Sequence, residues 1–316
     1  MADGPPGGEH LLAVRVEGNA PLRVPVLYPA PVVAVGVPGG PGADGADLAL
    51  TDRPDPPPPW VGVDDVPAAL SSLRRSVAAA PLAAAALVQL LRISPGRPVD
   101  EGLALESLVY SMLQSGPEFE AWRAARAAPF SGTGTLEPLV VERRGEVLLL
   151  TLNRPEVHNA YNRAMRDALC EALTVAAVDP RVRVEICGRG RSFCSGGDLT
   201  EFGTFPDPVS AHRVRTTRSP ARLLASLSER VAATVHGVCA GSGIELPAFA
   251  GTLRARPDTR IWLPELSMGL IPGAGGTVSL PRRIGRHRTA WLALSGSEID
   301  AGTALGWGLA DALSGS

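Results

Sequence analysis

The sequence contains no lysine, and all thirty of its basic residues are arginine. A Schiff-base lysine and the lysine of a phosphate-binding P-loop are therefore both excluded. Cysteine is scarce as well, and its spacing includes no C-x-x-C or other metal-ligand pattern. The four cysteines are Cys170, Cys187, Cys194 and Cys239. We expect them to be small buried side chains in a reducing compartment, with no metal site.

Long apolar runs and an excess of one charge are also missing. No apolar run approaches the roughly 18 residues that a membrane-spanning helix needs. The N-terminal M-A-D-G-P-P-G-G-E-H has neither the basic start nor the apolar centre of a secretory signal. A net charge of −2 gives no indication of a nucleic-acid partner. With 316 residues, of which 45% are apolar, we expect a soluble, cytoplasmic globular protein without a membrane partner.

The first part of the chain divides by composition. Residues 1–60 are rich in glycine and proline, so we expect a flexible region, disordered over 1–8, with at most one short strand within 30–38. Over residues 61–130 the apolar spacing predicts helices, which form either a small helical domain or a helical appendage. Their expected boundaries are a cap at Asp64 or Asp65, breaks at Pro81 and Gly116-Pro117, and a turn from Ser94 to Pro98.

After a linker at residues 130–135, the pattern changes to alternating strands and helices, and we place an α/β core at residues 136–316. The predicted elements are a hairpin of Leu139–Glu142 with Val147–Leu152, a helix over Arg163–Ala177, a strand over Val182–Cys187, a helix over Ser210–Leu227 interrupted near Pro220, and a strand over Arg230–His236.

Three loops follow predicted strands of this core: Asn153–Ala160, Gly188–Asp198 and Gly237–Glu245. Ligands in open α/β sheets bind beyond the carboxyl ends of the strands. The second and third loops contain Gly196-Gly197 and Gly241-Ser242-Gly243. Each could offer one backbone N–H to a single carbonyl oxygen, which would form an oxyanion hole. Taken alone, each glycine group is more typical of a tight turn from strand to helix.

Glu245 and Glu265 accompany two glycine-rich turns between His236 and Thr277, and two carboxyl groups are the minimum for acid and base chemistry. Taken singly, Glu245 suits a helix start, where its charge complements the dipole, and Glu265 suits a surface or capping position. Asp198 is expected to close its turn, and His236 to pack at a strand end. The group Gly241-Ser242-Gly243 lacks the later glycine of a dinucleotide-binding motif. The predicted site therefore rests on the combination.

That combination resembles the crotonase, or enoyl-CoA hydratase/isomerase, family over roughly Leu139–Leu313. Four segments carry the resemblance in the family's order: L-N-R-P-E-V-H-N-A-Y-N, S-F-C-S-G-G-D-L, H-G-V-C-A-G-S-G-I-E-L, and L-P-E-L-S-M-G-L-I-P-G-A-G-G-T followed by L-P-R-R-I-G. The resemblance implies a crotonase-like α/β core of repeated ββα units, here with an N-terminal helical appendage. It also implies an acyl-CoA thioester as substrate, with coenzyme A entering only as part of that substrate and no separate cofactor.

The resemblance assigns a role to individual residues. It implies an oxyanion hole formed by the N–H groups of Gly197 and Ser242. In the hydratase branch two glutamates act; we assign Glu265 to the α-carbon of the substrate and Glu245 to the water. The implied substrate-binding residues are Ala160, Ser195, Gly196, Asp198 and Gly241. The implied reaction is syn addition of water to a 2-enoyl-CoA in fatty acid metabolism, by a homo-oligomer such as a trimer. The alternatives are an acyl-CoA double-bond isomerase and a non-catalytic acyl-CoA-binding subunit.

Two departures from the family pattern affect these predictions. Pro247 follows Glu245 closely, which leaves open whether Glu245 faces the substrate. The family also continues with further helices beyond the segment that matches Gly308–Leu313, whereas here Gly102–Arg126 resembles those terminal helices. We hypothesise that residues 64–126 take their place, which requires them to pack near the C-terminal end of the core. The loop arginines Arg189 and Arg191 are candidates for coenzyme A phosphates or for solvated side chains.

Overall fold

The computed structural model describes residues 10–16, 22–39, 41–126 and 137–315. The predictions of disorder for residues 1–8 and of a linker at 130–135 lie outside the described residues. The helices are α1 (Val66–Ala79), α2 (Pro81–Ile93), α3 (Val99–Gln114), α4 (Pro117–Ala124), α5 (Arg163–Val178), α6 (Pro208–Thr217), α7 (Pro220–Ser226), α8 (Ser242–Glu245), α9 (Gly276–Ser295, broken at Gly285) and α10 (Ala301–Trp307). Among them, no single helix is both long and apolar enough to cross a membrane; only α1 and α2 taken together, with a bend of 107° between them, reach that length and composition.

The described strands form three sheets. They are β1 (Leu12–Val16), β2 (Val32–Gly36), β3 (Leu48–Thr51), β4 (Trp60–Gly62), β5 (Leu139–Arg144), β6 (Val147–Leu152), β7 (Arg183–Gly188), β8 (Val231–Val235), β9 (Val238–Ala240), β10 (Thr252–Ala255), β11 (Arg260–Trp262), β12 (Ile299–Asp300) and β13 (Ala312–Leu313). Strands β1 to β4 make a parallel sheet in chain order. A second sheet has the order β13-β10-β8-β7-β6-β5, parallel except for the β5–β6 hairpin. The third has the order β12-β11-β9.

A ββα order repeats within the core. The units β8–β9–α8 and β10–β11–α9 each place their first strand in the six-stranded sheet and their second in the three-stranded sheet. Strands β9 and β11 are parallel, and Ala240 pairs with Trp262 at their ends. Because both strands end at the same edge, α8 and the short 3-10 turn Glu265–Met268 begin side by side. This arrangement confirms the predicted α/β core of ββα units, and it brings the two glutamate-bearing segments together.

Most predicted elements of the core and of the helical region are confirmed, because local chemistry sets their ends. Asp65 accepts a hydrogen bond from the N–H of Ala68 at 2.9 Å and caps α1. Asn162 and Asp207 cap α5 and α6 in the same way. Helices α2, α4 and α7 begin at a proline, whose fixed φ and missing N–H suit the first helical position. The predicted interruption near Pro220 separates α6 from α7.

The expectation that residues 1–60 hold at most one short strand is wrong, because the described part of this region contributes to four strands. The flexibility of the region stays a prediction. Strands β1 to β4 are only three to five residues long, so the surrounding glycine and proline dominate the composition. Side chains of the two central strands are nevertheless buried, since Val33 of β2 and Leu48 and Leu50 of β3 are each 0% exposed. A buried ion pair ties this sheet to α2, because Arg92 donates to both carboxylate oxygens of Asp47 at 2.8 and 2.6 Å.

The helical region shares its core with the rest of the chain. Helices α1, α2 and α3 pack against α9. Leu73 of α1, Leu87 of α2 and Leu280 of α9 belong to one cluster of buried residues. The hypothesis that residues 64–126 take the place of the family's terminal helices required them to pack near the C-terminal end of the core, and they meet this requirement. They form a layer of the molecule and do not enclose a core of their own.

Candidate active site

The three loops predicted from the sequence converge. The segment after β7 runs parallel to β9, where Cys194 donates its N–H to Val238 at 3.1 Å and accepts one from Ala240 at 3.0 Å. A few residues further along the same segment, the N–H of Tyr161 donates to the carbonyl oxygen of Gly196, and the N–H of Asp198 donates to the carbonyl oxygen of Tyr161, both at 2.8 Å. These backbone hydrogen bonds hold the loops beside one another at the edge where β7 and β9 end.

Two backbone N–H groups remain free at this junction. The hydrogen bonds around Tyr161 leave the N–H of Gly197 unused, and Ser242 is the first residue of α8, where N–H groups have no acceptor within the helix. Within the described residues, neither N–H donates a hydrogen bond. Gly197 and Ser242 line the same cavity. Two fixed, unused donors in one cavity can stabilise an oxygen atom that gains negative charge.

The carboxyl groups of Glu245 and Glu265 lie next to each other across Gly241. A Cβ atom on Gly241 would lie 2.4 Å from Oε1 of Glu265 and 3.7 Å from Oε1 of Glu245. Gly241 also has φ 48°, a conformation that side chains other than glycine rarely adopt. Both glutamates are almost completely buried, with 1% of Glu245 and 8% of Glu265 exposed. Only glycine therefore lets the two carboxyl groups approach this point of the backbone.

The two carboxyl groups differ in how they are held. Oε2 of Glu245 accepts hydrogen bonds from the N–H groups of Ala274 at 2.8 Å and Gly276 at 2.9 Å. Oε2 of Glu265 is buried and has no hydrogen-bond partner within the described residues. One carboxyl group is thus fixed by two donors, whereas an oxygen of the other is left without a partner.

Burial changes the acidity of both groups. It raises the pKa of Glu265 from 4.5 to about 8, with repulsion from Glu106 adding to the effect. It also raises the pKa of Glu245 well above 4.5, followed by repulsion from Glu265 and Glu106, while the N–H groups of Ala274 and Gly276 act in the opposite direction. The N–H groups of Ala274 and Gly276 favour the ionised form of Glu245, whereas Oε2 of Glu265 has no such donor within the described residues. Two adjacent carboxyl groups with raised pKa values can serve as a proton donor and a proton acceptor.

Pro247 does not turn Glu245 away from the cavity, which the sequence left open. Helix α8 ends at Glu245, and Pro247 begins a 3-10 turn that continues to Phe249. At the start of such a turn the missing N–H of proline has no acceptor to lose. Glu245 therefore keeps its two hydrogen bonds and remains in the lining of the cavity.

The cavity does not collect all of the predicted site residues. Those that line it are Gly197, Asp198, Ser242, Glu245 and Glu265. Asp198 also pairs with Arg154 at 3.0 Å and accepts a hydrogen bond from the Thr200 hydroxyl at 2.7 Å, so it closes its turn as expected. Gly241 lies beside the two carboxyl groups and outside the cavity lining.

The remaining predicted substrate-binding residues lie in the loops and outside the cavity lining. The carbonyl oxygen of Ala160 accepts a hydrogen bond from Arg154, and that of Gly196 accepts one from Tyr161. The N–H of Ser195 donates to the carbonyl of His158 at 3.0 Å. These contacts shape the loops, and direct contact with a substrate remains a prediction for Ala160, Ser195 and Gly196.

One wall of the cavity comes from α3, in which no site residue was predicted. Its contribution follows helical spacing on one face: Leu103, Glu106, Ser107, Tyr110 and Gln114. The signal in the sequence that could have indicated this wall is Glu106, a carboxylate in the interior of a leucine-rich helix. Glu106 is 2% exposed, and such burial of a carboxylate requires several hydrogen bonds.

The other candidate residues from the sequence do not line this cavity. Arg189 and Arg191 are exposed, and neither lines the cavity, whose arginines are Arg163, Arg166, Arg215 and Arg218. His236 is buried, and its Nε2 lies 3.0 Å from the carbonyl oxygen of Gly190, in agreement with a packing role. Cys194 is buried too, and burial raises the pKa of its thiol to about 11. Across the described ranges, no group of three potential metal ligands occurs.

Comparison with known proteins gives a consistent set of relatives. Residues 142–315 match the family model described as Enoyl-CoA hydratase/isomerase. The chain is 38% identical to 2,3-dehydroadipyl-CoA hydratase of Escherichia coli (strain K12) over 169 aligned residues. This alignment covers 52% of this chain and 65% of that protein. The chain is also 38% identical over 168 residues to 1,2-epoxyphenylacetyl-CoA isomerase of the same strain, covering 52% and 64%. The chain thus spans slightly less than two thirds of either relative.

A solved structure agrees with these sequence relatives. The crystal structure of enoyl-CoA hydratase from Thermoplasma volcanium GSS1 superposes with a TM-score of 0.51 and 34% sequence identity, covering 56% of this chain and 72% of that one. The matched family segment begins at residue 142, so α3 and Glu106 lie outside it.

Proposed function

This chain belongs to the enoyl-CoA hydratase/isomerase family, within the crotonase superfamily, and from that premise we propose that it adds water to the double bond of a 2-enoyl-CoA thioester. One observation carries the proposal. The adjacent carboxyl groups of Glu245 and Glu265 share a cavity with the unused N–H groups of Gly197 and Ser242. These are the groups that hydration of a conjugated thioester requires, namely a base, an acid and donors for an enolate oxygen.

The two N–H groups act on the thioester carbonyl. When water attacks the β-carbon, the π electrons move toward the carbonyl oxygen, which becomes an enolate. The N–H groups of Gly197 and Ser242 donate to that oxygen and, being backbone groups, are fixed before the reaction begins. Each such donor typically contributes about 3–4 kcal/mol to transition-state stabilisation.

The two glutamates divide the proton transfers. Glu245, held through Oε2 by two N–H groups, takes a proton from water through Oε1 as the water attacks. Glu265, whose buried carboxyl has a pKa of about 8, delivers its proton to the α-carbon. Water and proton then add from the same side because the two carboxyl groups lie side by side. Arg163 and Arg218, partly exposed at the cavity, suit the phosphates of coenzyme A.

The test is a spectrophotometric hydration assay with crotonyl-CoA and with an aromatic 2-enoyl-CoA. Glu245→Gln and Glu265→Gln should each reduce kcat by about 10²- to 10⁴-fold, because each removes a proton-transfer group and keeps the size of the side chain. Glu298→Gln, at an exposed surface glutamate, is the matched control. Unchanged activity in both glutamate variants would show that the assignment is wrong.

A double-bond isomerase is the second candidate, because the description of the matching family model names enoyl-CoA isomerases beside hydratases. Isomerisation moves a proton between two carbons and needs no added water. Conversion of a 3-enoyl-CoA to the 2-enoyl-CoA without formation of a hydroxyacyl-CoA would favour it. Binding of acyl-CoA in calorimetry without either reaction would favour a non-catalytic subunit. The same preparation, analysed by light scattering, tests the expected homo-oligomer.

A further inference from the structure

Four consecutive N–H groups of one turn are divided between two carboxylates. The N–H groups of Ala274 and Gly276 donate to Oε2 of Glu245 at 2.8 and 2.9 Å. The N–H groups between and after them, from Gly275 and Thr277, donate to Oε1 and Oε2 of Glu106 at 2.7 and 2.9 Å. The Thr277 hydroxyl adds a third hydrogen bond to Glu106 at 2.7 Å. The two carboxylates thus hold alternate residues of the same turn.

The turn lies at the start of α9, where N–H groups have no acceptor within the helix and the dipole favours negative charge. Without Glu106, the buried N–H groups of Gly275 and Thr277 would have no hydrogen-bond acceptor. Glu106 reaches them from α3, which packs directly on α9. The position of the turn therefore depends on a carboxylate that lies about 170 residues earlier in the chain.

We propose that Glu106 is a positioning residue for the hydration reaction: by fixing residues 274–277 from one side, it holds the Glu245 carboxylate with Oε1 toward the water. The inference rests on the proposed function. Glu106 acts through the turn and has no contact with reacting atoms in the scheme above. Its effect should therefore appear in kcat and leave the affinity for the thioester almost unchanged.

The charge of Glu106 gives this role a separate signature. The charged and titratable groups around it are Glu245 of α8, Glu265 of the 3-10 turn, Tyr110 of α3 and Arg215 of α6. Ionised Glu106 repels the other two carboxylates and so raises the pKa of both. Burial raises its own pKa to about 7, against the opposing effect of its hydrogen bonds and of Arg215. Removal of its charge should therefore lower the pKa of Glu245 and of Glu265.

Two substitutions separate the charge from the position. Glu106→Gln removes the negative charge. It also replaces one acceptor oxygen by an amide N–H₂ group, which cannot accept a hydrogen bond from the backbone N–H groups of Gly275 and Thr277. We expect kcat to fall by about 10- to 100-fold with KM changed less than about threefold. Because Glu106 is ionised only above a pH of about 7, the alkaline limb of the profile of kcat/KM against pH, which the pKa of Glu265 sets at about 8, should move to lower pH. Glu106→Asp keeps the charge but is one methylene shorter, so kcat should fall while the limbs stay in place.

Glu101→Gln on the same helix is the matched control, because Glu101 is exposed and pairs with Arg97 at the surface, at 3.1 Å. It should match the wild type in both readouts. A folded Glu106→Gln variant with unchanged kcat and unchanged limbs would overturn the inference, as would an equal shift of the limbs in Glu101→Gln. If Glu106→Gln does not fold, Thr277→Val removes one of the three hydrogen bonds and leaves the charge. It should lower kcat severalfold at constant KM, and an unchanged kcat would refute the positioning role.

The proposed function and this inference can fail separately. If Glu245→Gln loses hydration activity and Glu106→Gln keeps wild-type activity, the proposed function stands and the inference about Glu106 is refuted. If the wild-type chain hydrates no enoyl-CoA, the carboxyl resonances of ¹³C-labelled glutamate can be titrated instead. Glu106→Gln should then lower the pKa of Glu245, which that variant leaves intact, and an unchanged titration would refute the inference without any activity assay.

Discussion

Glu265→Gln should make the protein more stable at alkaline pH while it removes hydration. The wild-type carboxyl is buried, and one of its oxygens has no hydrogen-bond partner within the described residues. Burial raises its pKa from 4.5 in the unfolded chain to about 8 in the folded protein. Because the folded pKa is the higher one, its favourable contribution is fully present below pH 4.5 and is lost as pH rises to about 8.

The size of this loss follows from the shift. At 1.36 kcal/mol per pKa unit, a rise from 4.5 to about 8 corresponds to a cost of the order of 5 kcal/mol above pH 8. Glutamine has no such pH dependence, but its buried amide group lacks partners, which costs about 1–3 kcal/mol. The variant should thus be less stable than the wild type near pH 4.5 and more stable, by about 2 kcal/mol or more, near pH 8.

Urea unfolding monitored by circular dichroism, at intervals between pH 4.5 and 8.5, measures both curves. Glu101→Gln, which removes an exposed carboxylate, should give a curve parallel to that of the wild type. A difference between Glu265→Gln and wild type that does not change with pH would refute the reasoning. So would a wild-type stability that rises from pH 5 to pH 8 while that of the variant stays flat. The expected result would show that the acid for catalysis is kept at the expense of stability.

Two further predictions concern the buried ion pair beside β3 and the glycine between the two glutamates. Asp47→Ala leaves the buried Arg92 without its partner and should lower the free energy of unfolding by about 3–5 kcal/mol, whereas Glu101→Ala, at an exposed pair, should lower it by less than about 1 kcal/mol; urea titration measures both. Gly241→Ala places a methyl group against Oε1 of Glu265 at a positive φ, so hydration should fall by at least about 10²-fold, and a variant that folds and keeps wild-type kcat would contradict the geometry.

The sequence predicted the part of the site that is local in the chain. Ser242 and Glu245 lie in the helix that directly follows β9, and a strand followed by glycine and a helix start has few possible geometries. Gly197 lies in the loop that follows β7. Glu265 follows a strand in the same way. The helix ends were predictable for a similar reason, since a cap such as Asp65 acts within four residues of its own position.

What could not be predicted depends on contacts between distant segments. The sheet of β1 to β4 was missed because each strand is shorter than the surrounding glycine- and proline-rich segments, and burial against the helices stabilises it. Glu106 was missed because its partners, Gly275 and Thr277, are 169 and 171 residues away. The periodicity of α3 shows which face is buried but gives no information about the segment that it meets.

The alternation of hydrogen bonds in the turn at residues 274–277 has a consequence for how this protein can be divided. The segment that matches the family, residues 142–315, contains both proposed catalytic glutamates, yet it does not contain the acceptor for two of the four N–H groups in that turn. A gene fragment cut at the family boundary would encode all the recognisable motifs but not Glu106 or the helices that cover α9. For recombination or truncation, the smallest unit that carries a complete site therefore extends back through α3.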